Sequence, residues 1–254
     1  MGILVSHPST ALSPLTVTLR ALGSRQGLAD PLIVTDLEGW IPAADLVSGA
    51  ALPELFAVAE RRWSAAPHAA ATLAWKSYSY WLTLPVVLSW ATNRRVPLVD
   101  PHHMLVRLDT GSPLLQIGFS RLQLAVPSGD PLANTPEAVM VGDDNLLLKA
   151  MRVSLLDHHL ELLAERIQER VKVGRHNLRG SIASGIAYGV IRAGKAIPGS
   201  PEEIITTVLE ALGLEDLIEL VPGMEGPGVQ RKTCCLAFTL PEPKVCSGCC
   251  LRKC

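Results

Sequence analysis

The sequence lacks an excess of charge of either sign. Lysine and arginine number 23, aspartate and glutamate 24, and the formal net charge of the 254-residue chain is −1. No run of like charges occurs and 48% of the residues are hydrophobic. This composition argues against intrinsic disorder and against an extended nucleic-acid-binding surface. A chain of this length can bury a core of its own, as one large domain or two modest ones.

Segments that would carry the chain into or across a membrane are also missing. The first ten residues, MGILVSHPST, have neither the cationic region nor the continuous apolar stretch of a secretory signal. The most apolar run, from Tyr78 to Ala91, contains Pro85 and is shorter than the roughly 20 residues that a membrane-spanning helix needs. We therefore expect a cytoplasmic protein in which this run is a core helix, while peripheral association with a membrane stays open.

Motifs for binding nucleotides or flavins are not found. The sequence contains no P-loop, and no Gly-x-Gly-x-x-Gly follows a predicted strand. If the protein carries out redox chemistry, we therefore expect its electrons to come from an external donor.

Most of the chain has the residue patterns of helices. Alanine- and leucine-rich segments with few helix breakers predict helices over residues 53–63, 66–92 and 177–196, and an amphipathic pattern predicts a long helix over 145–171. Ser200, Pro201 and Glu203 form a typical N-terminal cap for a helix that ends near Leu212. A short helix is expected around 216–220, and residues 1–50 leave helix and strand unresolved.

A small β element is predicted in the middle of the chain. Short, partly alternating runs at 104–109, 114–119 and 122–126 are typical of strands, and residues 109–113 have strong turn chemistry. We expect an antiparallel hairpin or meander there. The Gly- and Pro-rich stretch 222–228 predicts a flexible boundary. The expected fold is therefore α+β and mainly α, with a helical body over 1–226 and a cysteine-rich segment over 227–254.

All six cysteines lie between Cys234 and Cys254. Because the cytosol keeps thiols reduced and a chain of this size folds without disulfides, this clustering indicates a metal or cluster site. The pattern is Cys234-Cys235, ten residues, Cys246, two residues, Cys249. Structural zinc sites usually draw on two Cys-x-x-Cys-like loops, whereas adjacent cysteines point their side chains apart. A two-iron cluster relaxes this demand, because its four thiolates are spread over two irons.

This cysteine pattern resembles that of the FhuF family of ferric siderophore reductases. In that family a C-terminal Cys-Cys-x10-Cys-x2-Cys motif holds a [2Fe–2S] cluster. The long predicted helix and the segment from Val173 to Ser181 are similar, more weakly, to the family's central helical region. The resemblance implies that the helical body binds the siderophore and that a [2Fe–2S] cluster is bound by Cys234, Cys235, Cys246 and Cys249.

The resemblance also implies an activity, the one-electron reduction of chelated Fe³⁺ to Fe²⁺, which releases iron from siderophores after uptake. Hard anionic oxygens hold Fe³⁺ far more tightly than Fe²⁺, so one electron is enough for release. The family favours hydroxamate siderophores as substrates. The donor would be a ferredoxin or a flavin- or NAD(P)H-dependent reductase, and no catalytic residue beyond the cluster is expected. The alternatives are a non-catalytic protein with a structural zinc site and an iron–sulfur redox sensor.

Two cysteines are extra to the motif of the family. Cys250 directly follows the last motif cysteine, and Cys254 ends the given sequence. A ligand exchange to Cys250 and a disulfide between Cys249 and Cys254 therefore stay open.

Positive charge is concentrated near the cysteines. Residues 227–254 carry a net charge of +4, which leaves −5 for residues 1–226; the cations are Arg231, Lys232, Lys244, Arg252 and Lys253, against Glu242 alone. Cations near a cluster stabilise its more negative, reduced form. We expect Arg231 and Lys232 to lie near the surface, where they would tune the cluster or attract an acidic donor or an anionic chelate. A solvated basic tail is the alternative.

Two further groups of residues are candidates for a site. The pairs His102-His103 and His158-His159 each lie near an aspartate, but neither has the i, i+4 spacing by which a helix offers two imidazoles to one ion. A set of aromatic residues is suited to stacking on a flat siderophore group, although in an alanine-rich helix such residues more often belong to the core; its members are Trp75, Tyr78, Tyr80, Trp81 and Trp90.

Overall fold

The computed structural model describes residues 11–21, 26–223 and 226–252. Within these ranges the chain is an α+β protein dominated by helices, as the sequence predicts. The helices are α1 (Ser13–Ala21), α2 (Ala43–Val47), α3 (Leu52–Trp63), α4 (Pro67–Asn93), α5 (Asp144–Met151), a π-helical segment (Arg152–Leu160), α6 (Glu161–Arg170), α7 (Arg175–Ala193) and α8 (Pro201–Leu212). Short 3-10 turns lie at Gly194–Ala196, Glu215–Leu217 and Ala237–Thr239.

The described strands form three small sheets. They are β1 (Leu28–Ile33), β2 (Ile41–Pro42), β3 (Val96–Pro97), β4 (Met104–Leu108), β5 (Leu115–Phe119), β6 (Leu124–Pro127), β7 (Ala138–Val141), β8 (Ile218–Gly223) and β9 (Gly226–Arg231). The sheets have the orders β1-β5-β4-β2, β3-β6-β7 and β8-β9. In the first, β1 runs parallel to β5, and the other pairings are antiparallel.

The predicted hairpin is confirmed for its first two strands only. β4 and β5 pair along their whole length, with Met104 opposite Phe119. The third strand, β6, does not extend this hairpin but pairs with β3 and β7 in a separate sheet. Three successive β6 residues, Leu124 to Val126, are buried. A strand covered on both faces has no alternation from which its partners could be predicted.

α4 is the central helix of the core. Its fully buried side chains include Trp75 and Tyr78, and the indole N–H groups of Trp75 and Trp90 donate to Leu178 O at 2.8 Å and to Asp144 Oδ1 at 2.9 Å. The expectation of a buried core helix is thus confirmed. No helix among residues 11–21, 26–223 and 226–252 is both long enough and apolar enough to span a bilayer.

Small residues let α7 approach its neighbours closely. A Cβ atom on Gly189 would lie 2.9 Å from Leu84 Cδ1 of α4, and one on Gly180 would overlap the side chain of Thr233. The second contact joins α7 to the residue just before the vicinal cysteines. A residue with a side chain at Gly180 would push this segment away from the helix.

The long helix predicted over 145–171 is confirmed in extent, although its middle is π-helical. Asp143 caps its N-terminus by accepting the N–H of Leu146 at 2.9 Å. In the π-helical segment, Ser154 Oγ accepts the N–H of Val99 at 2.7 Å, and His159 Nδ1–H donates to the Val99 carbonyl at 2.6 Å. The π-helical segment thus supplies partners for both the backbone N–H and the backbone carbonyl of Val99, which is buried.

His159 is a structural residue and not a metal ligand. Because Nδ1–H donates to a carbonyl, Nε2 of the neutral ring accepts the hydroxyl proton of Tyr78, at 2.6 Å. Both ring nitrogens are therefore occupied in a fully buried position.

The chain after α8 differs from the prediction. The sequence predicts a short helix around 216–220 and a flexible boundary over 222–228, yet only a 3-10 turn precedes residue 218, and β8 and β9 form an antiparallel hairpin that pairs Ile218 with Arg231. Its sequence signal is weak because Pro222 faces Pro227, and neither can donate to the ladder. The hairpin crosses the predicted division between residues 226 and 227 and packs on α7.

We predict that His159 makes the free energy of unfolding depend on pH. Burial lowers the pKa of His159 to about 4, against the opposing hydrogen bond to Val99 and the charge of Asp100. The unfolded chain takes up this proton near pH 6.5 and the folded chain only near pH 4. The contribution of His159 to stability is therefore complete above pH 6.5 and is lost as the pH falls toward 4, by about 2–3 kcal/mol.

Chemical denaturation at pH 7.5 and pH 4.5 measures this effect. His159→Gln should be less stable than the wild type at pH 7.5, because the amide cannot reproduce both hydrogen bonds, and should lose less stability at pH 4.5. The exposed His176→Gln is the matched control. Equal losses of stability in the wild type and in His159→Gln would contradict the prediction.

Candidate functional site

The four predicted cluster ligands line one cavity. It has a volume of about 800 Å³ and lies between α4, α7 and the segment 234–249. All five cysteines that the structure describes are free thiols. The two halves of the motif, which are ten residues apart in the sequence, thus share one cavity; the cysteines that line it are Cys234, Cys235, Cys246 and Cys249.

A tight turn directs backbone N–H groups at the vicinal cysteines. Leu236 has φ 60° and ψ 8°, a left-handed conformation that is uncommon for a bulky residue. This turn lets the Leu236 N–H donate to Cys234 Sγ at 3.3 Å, and Ala237 supplies a backbone hydrogen bond to the Cys235 thiol. Hydrogen bonds of this kind favour thiolate sulfur over the neutral thiol.

Strand β9 holds the second half of the motif. The N–H of Arg231 donates to Gly248 O at 2.9 Å, and the Gln230 side chain donates to Cys249 O at 3.2 Å. Gly248 must be glycine here, because a Cβ atom would overlap the carbonyl oxygen of Val229. The turn that contains Cys246 and Cys249 is therefore fixed directly against the strand.

The side chain of Arg231 is buried behind the cysteines. Its exposed fraction is 2%, and Nη2 donates to Ser181 Oγ of α7 at 3.3 Å. Nε and Nη1 are buried without a hydrogen-bond partner. Within residues 11–21, 26–223 and 226–252 no Asp or Glu forms an ion pair with Arg231. An arginine stays protonated in proteins, so this charge needs a negative partner nearby.

This position corrects the expectation for Arg231 and Lys232. Both were expected near the surface, but only Lys232 is exposed. The two residues alternate in direction along an extended chain, so the Lys232 side chain reaches solvent while that of Arg231 enters the protein. The sequence alone does not show which of two neighbouring cations faces inward.

The surroundings of Cys235 and Cys246 shift the pKa values of these two thiols in opposite directions. Burial raises the pKa of Cys235, but Lys76, the Ala237 N–H and Arg231 together outweigh it, so this pKa lies below its ordinary value. For Cys246, burial and the neighbouring thiols raise the pKa more than Lys76 and Arg231 lower it. The surroundings of Cys235 therefore favour the thiolate form that a metal ligand requires, whereas those of Cys246 favour the neutral thiol.

The extra cysteine Cys250 stands outside the cavity wall. It lies next to Cys234 and Cys249, and burial, together with the charges of those two thiols and hydrogen bonds to them, raises its pKa to about 11. Its position leaves a ligand exchange with Cys249 open. Cys254 falls outside the described residues, and the predicted alternative of a disulfide to it falls there too.

The cysteines share a cavity without meeting at one point. Among the described residues, no three Cys, His, Asp or Glu side chains are arranged to hold a single metal ion. The donor set nevertheless fits an anionic iron–sulfur cluster in its chemistry, since four free thiols, N–H groups aimed at sulfur and a buried unpaired guanidinium lie together. The residues around the cavity thus match such a cluster in their type and their charge.

The histidine pairs and the aromatic set differ in their relation to the cavity. Within the described residues, the histidine pairs belong to no group that could hold a metal ion. Of the aromatic set, Trp75, Tyr78 and Trp90 are core residues, whereas Tyr80 and Trp81 are half-buried and line the cavity.

Part of the cavity wall has little or no signal in the sequence. Lys76 in α4 and Tyr188 and Arg192 in α7 face the cysteines across the cavity. The one available signal was Lys76 itself, a lone cation within the alanine- and leucine-rich helix over 66–92. Nothing in the sequence distinguishes Tyr188 or Arg192 from ordinary surface residues of a helix.

Comparison with known proteins gives no further assignment. No protein-family model matches the chain, and no curated protein is significantly similar to it.

We predict that Gly248→Ala destabilises the site locally. The added Cβ would overlap Val229 O and approach the Tyr188 hydroxyl at 2.8 Å, so the turn must leave β9. We expect a loss of about 1–3 kcal/mol in the free energy of unfolding, and faster alkylation of Cys249, which is 6% exposed in the wild type. Denaturation and mass spectrometry of alkylated peptides measure both.

Gly129→Ala is the matched control, because nothing lies within 4 Å of a Cβ atom at that glycine. It should leave stability and alkylation nearly unchanged. If Gly248→Ala alkylated at the rate of the control, the packing of the turn against β9 would not be what protects Cys249.

Proposed function

We propose that the protein is a cytoplasmic ferric siderophore reductase that binds a [2Fe–2S] cluster through Cys234, Cys235, Cys246 and Cys249. One observation carries the proposal: the guanidinium of Arg231 is buried with two unpaired nitrogens beside four free thiols that line one cavity. Neutral thiols would leave this charge uncompensated. Thiolates that ligate iron would compensate it, as they would in a cluster of net negative charge.

A bound [2Fe–2S] cluster supplies one electron at a time, which suits the conversion of chelated Fe³⁺ to Fe²⁺. The electron leaves the reduced protein for the ferric complex, and an external donor replaces it. Because Fe²⁺ is held weakly by hard anionic oxygens, the iron then dissociates from the chelator.

The residues around the cysteines would stabilise the reduced state. Reduction adds one negative charge, and Arg231 and Lys76 are the cations that act on the cysteine sulfurs. The N–H groups of Leu236 and Ala237 act in the same direction, because they donate to sulfur. Each of these interactions raises the reduction potential.

The cysteine segment also offers a surface for the electron donor. Phe238, Val245 and Leu251 are large hydrophobic side chains with exposed fractions of 40–51%. Lys244 and Arg252 lie among them, and Arg252 donates to Val245 O at 3.4 Å. A hydrophobic patch with basic residues suits an acidic protein such as a ferredoxin, which would approach the cysteines directly.

The test is a single-turnover experiment. Protein purified without oxygen should be red-brown, and dithionite should bleach its visible absorption. Mixing the reduced protein with a ferric siderophore should restore the absorption and release about one Fe²⁺ per cluster to ferrozine, since one electron reduces one iron. A colourless protein with one equivalent of zinc would identify a structural zinc site, and a cluster that never reduces ferric chelates would identify a redox sensor.

Cysteine variants give the matched controls for this experiment. Cys235→Ser and Cys249→Ser should lose or badly damage the cluster, because a serine oxygen is a poor ligand for it. Cys250→Ser should keep the cluster. The opposite outcome, with Cys249→Ser normal and Cys250→Ser colourless, would shift the motif by one residue.

We further predict that Arg231 and not Lys232 sets the reduction potential. Removing the buried charge should cost the reduced state about 1–2 kcal/mol at an effective dielectric constant near 20. For a one-electron couple, in which a tenfold change in the equilibrium corresponds to 59 mV, this is a fall of several tens of millivolts. Voltammetry of Arg231→Gln measures it.

Lys232→Gln removes the same formal charge from an exposed position and should leave the potential nearly unchanged, because solvent screens that charge. Arg231→Lys should recover most of the potential if the variant folds. Equal potentials for Arg231→Gln and Lys232→Gln would remove Arg231 from the electrostatics of the site.

A further inference from the structure

The wall of the cavity opposite the cysteines is aromatic. Tyr80 and Trp81 of α4 form an edge-to-face pair with ring centroids 4.9 Å apart, and Tyr188 of α7 lies on the same wall. All three side chains are only partly buried, so part of each ring faces the open space. Rings that meet a cavity in this way can stack on a flat ligand.

The same cavity is positively charged. Three cationic side chains line it, Lys76, Arg192 and Lys244, and among the described residues none of the side chains in its wall is acidic. Arg192 also donates to the Tyr80 hydroxyl at 3.4 Å, which holds its charge next to the aromatic wall. A ligand in this space meets positive charge and ring faces together.

The cations near the cavity differ in exposure. Arg231 is buried behind the cysteines, with an exposed fraction of 2%. The side chains of Arg192 and Lys244 are exposed and line the cavity. These two cations are therefore accessible to a ligand that enters the cavity.

We infer that the cavity selects a ferric complex that is anionic and carries aryl rings, the catecholate class of chelate. The inference rests on the proposed function, and it departs from the hydroxamate substrates that the family resemblance implies. A ferric tris-catecholate has a net negative charge for Arg192 and Lys244 and flat rings for Tyr80 and Tyr188. A ferric tris-hydroxamate of an aliphatic chelator is neutral and has no ring.

Binding of redox-inert complexes tests the inference apart from electron transfer. Ga³⁺ replaces Fe³⁺ in three hexadentate or polydentate chelates: a tris-catecholate, an α-hydroxycarboxylate that is anionic without rings, and an aliphatic tris-hydroxamate. Calorimetric titration of the oxidised, cluster-loaded protein should give the tightest binding for the catecholate, by about tenfold or more over the hydroxamate. The α-hydroxycarboxylate should lie between them, and the preference should shrink as salt is raised.

Two variants assign the preference to the residues. Arg192→Gln should weaken binding of the gallium catecholate by roughly tenfold and change binding of the hydroxamate little. Lys195→Gln removes an exposed charge close by in the chain, outside the cavity wall, and is the matched control. Tyr188→Leu should weaken the catecholate more than the α-hydroxycarboxylate, because only the catecholate has rings to stack.

The outcomes separate this inference from the proposed function. Equal affinities for all three complexes, or an unchanged affinity of Arg192→Gln for the catecholate, would overturn the inference on substrate class. The proposed function would still stand if the reduced protein delivered its electron to a hydroxamate. Conversely, tight binding of the gallium catecholate without any reduction of the ferric one would leave the binding site in place and overturn the reductase.

Discussion

A guanidinium held away from water at the end of β9 governs the charge of the cysteine region. Arg231 is 2% exposed, and its contacts with Ser181 and with the Cys235 thiol satisfy only part of the guanidinium, because Nε and Nη1 remain without a hydrogen-bond partner. An unpaired buried charge costs several kcal/mol, whereas the same charge next to thiolates is compensated. Thiolates at the neighbouring cysteines would complete the environment of Arg231, and the proposed cluster site rests on this requirement.

The strand that carries Arg231 also organises both halves of the cysteine motif. Its backbone and Gln230 hold the turn at Gly248, and the chain continues through Thr233, packed against Gly180, to the vicinal cysteines. Two glycines therefore set how closely these segments pack: Gly180 of α7 lies against Thr233, and Gly248 of the turn lies against β9. The hairpin β8–β9 thus brings the two halves of the cysteine motif together in one wall of the cavity.

The facing wall belongs to the two helices that pack most closely in the core. α4 and α7 approach each other through Gly185 and Gly189, and the same helices present Lys76, Tyr80, Tyr188 and Arg192 to the cavity. Core packing and the chemistry of the cavity are thus coupled. A change that separates these helices would move the cationic and aromatic side chains relative to the cysteines without touching any cysteine.

Local sequence patterns predict the helical character of the chain, the extents of its main helices, the hairpin β4–β5 and the four cysteines that are candidate ligands. Those features depend on local periodicity, capping residues and spacing, which can be recognised from the order of residues along the chain. Such patterns do not predict the pairing of β6, whose buried run has no alternation, or the hairpin β8–β9, whose prolines and glycines are equally typical of a linker. The packing of the folded chain places Arg231 inside and Lys232 in solvent, and it brings Lys76 and Arg192 opposite the cysteines. Burial and long-range proximity depend on how distant segments pack, and a pattern of neighbouring residues does not contain that information.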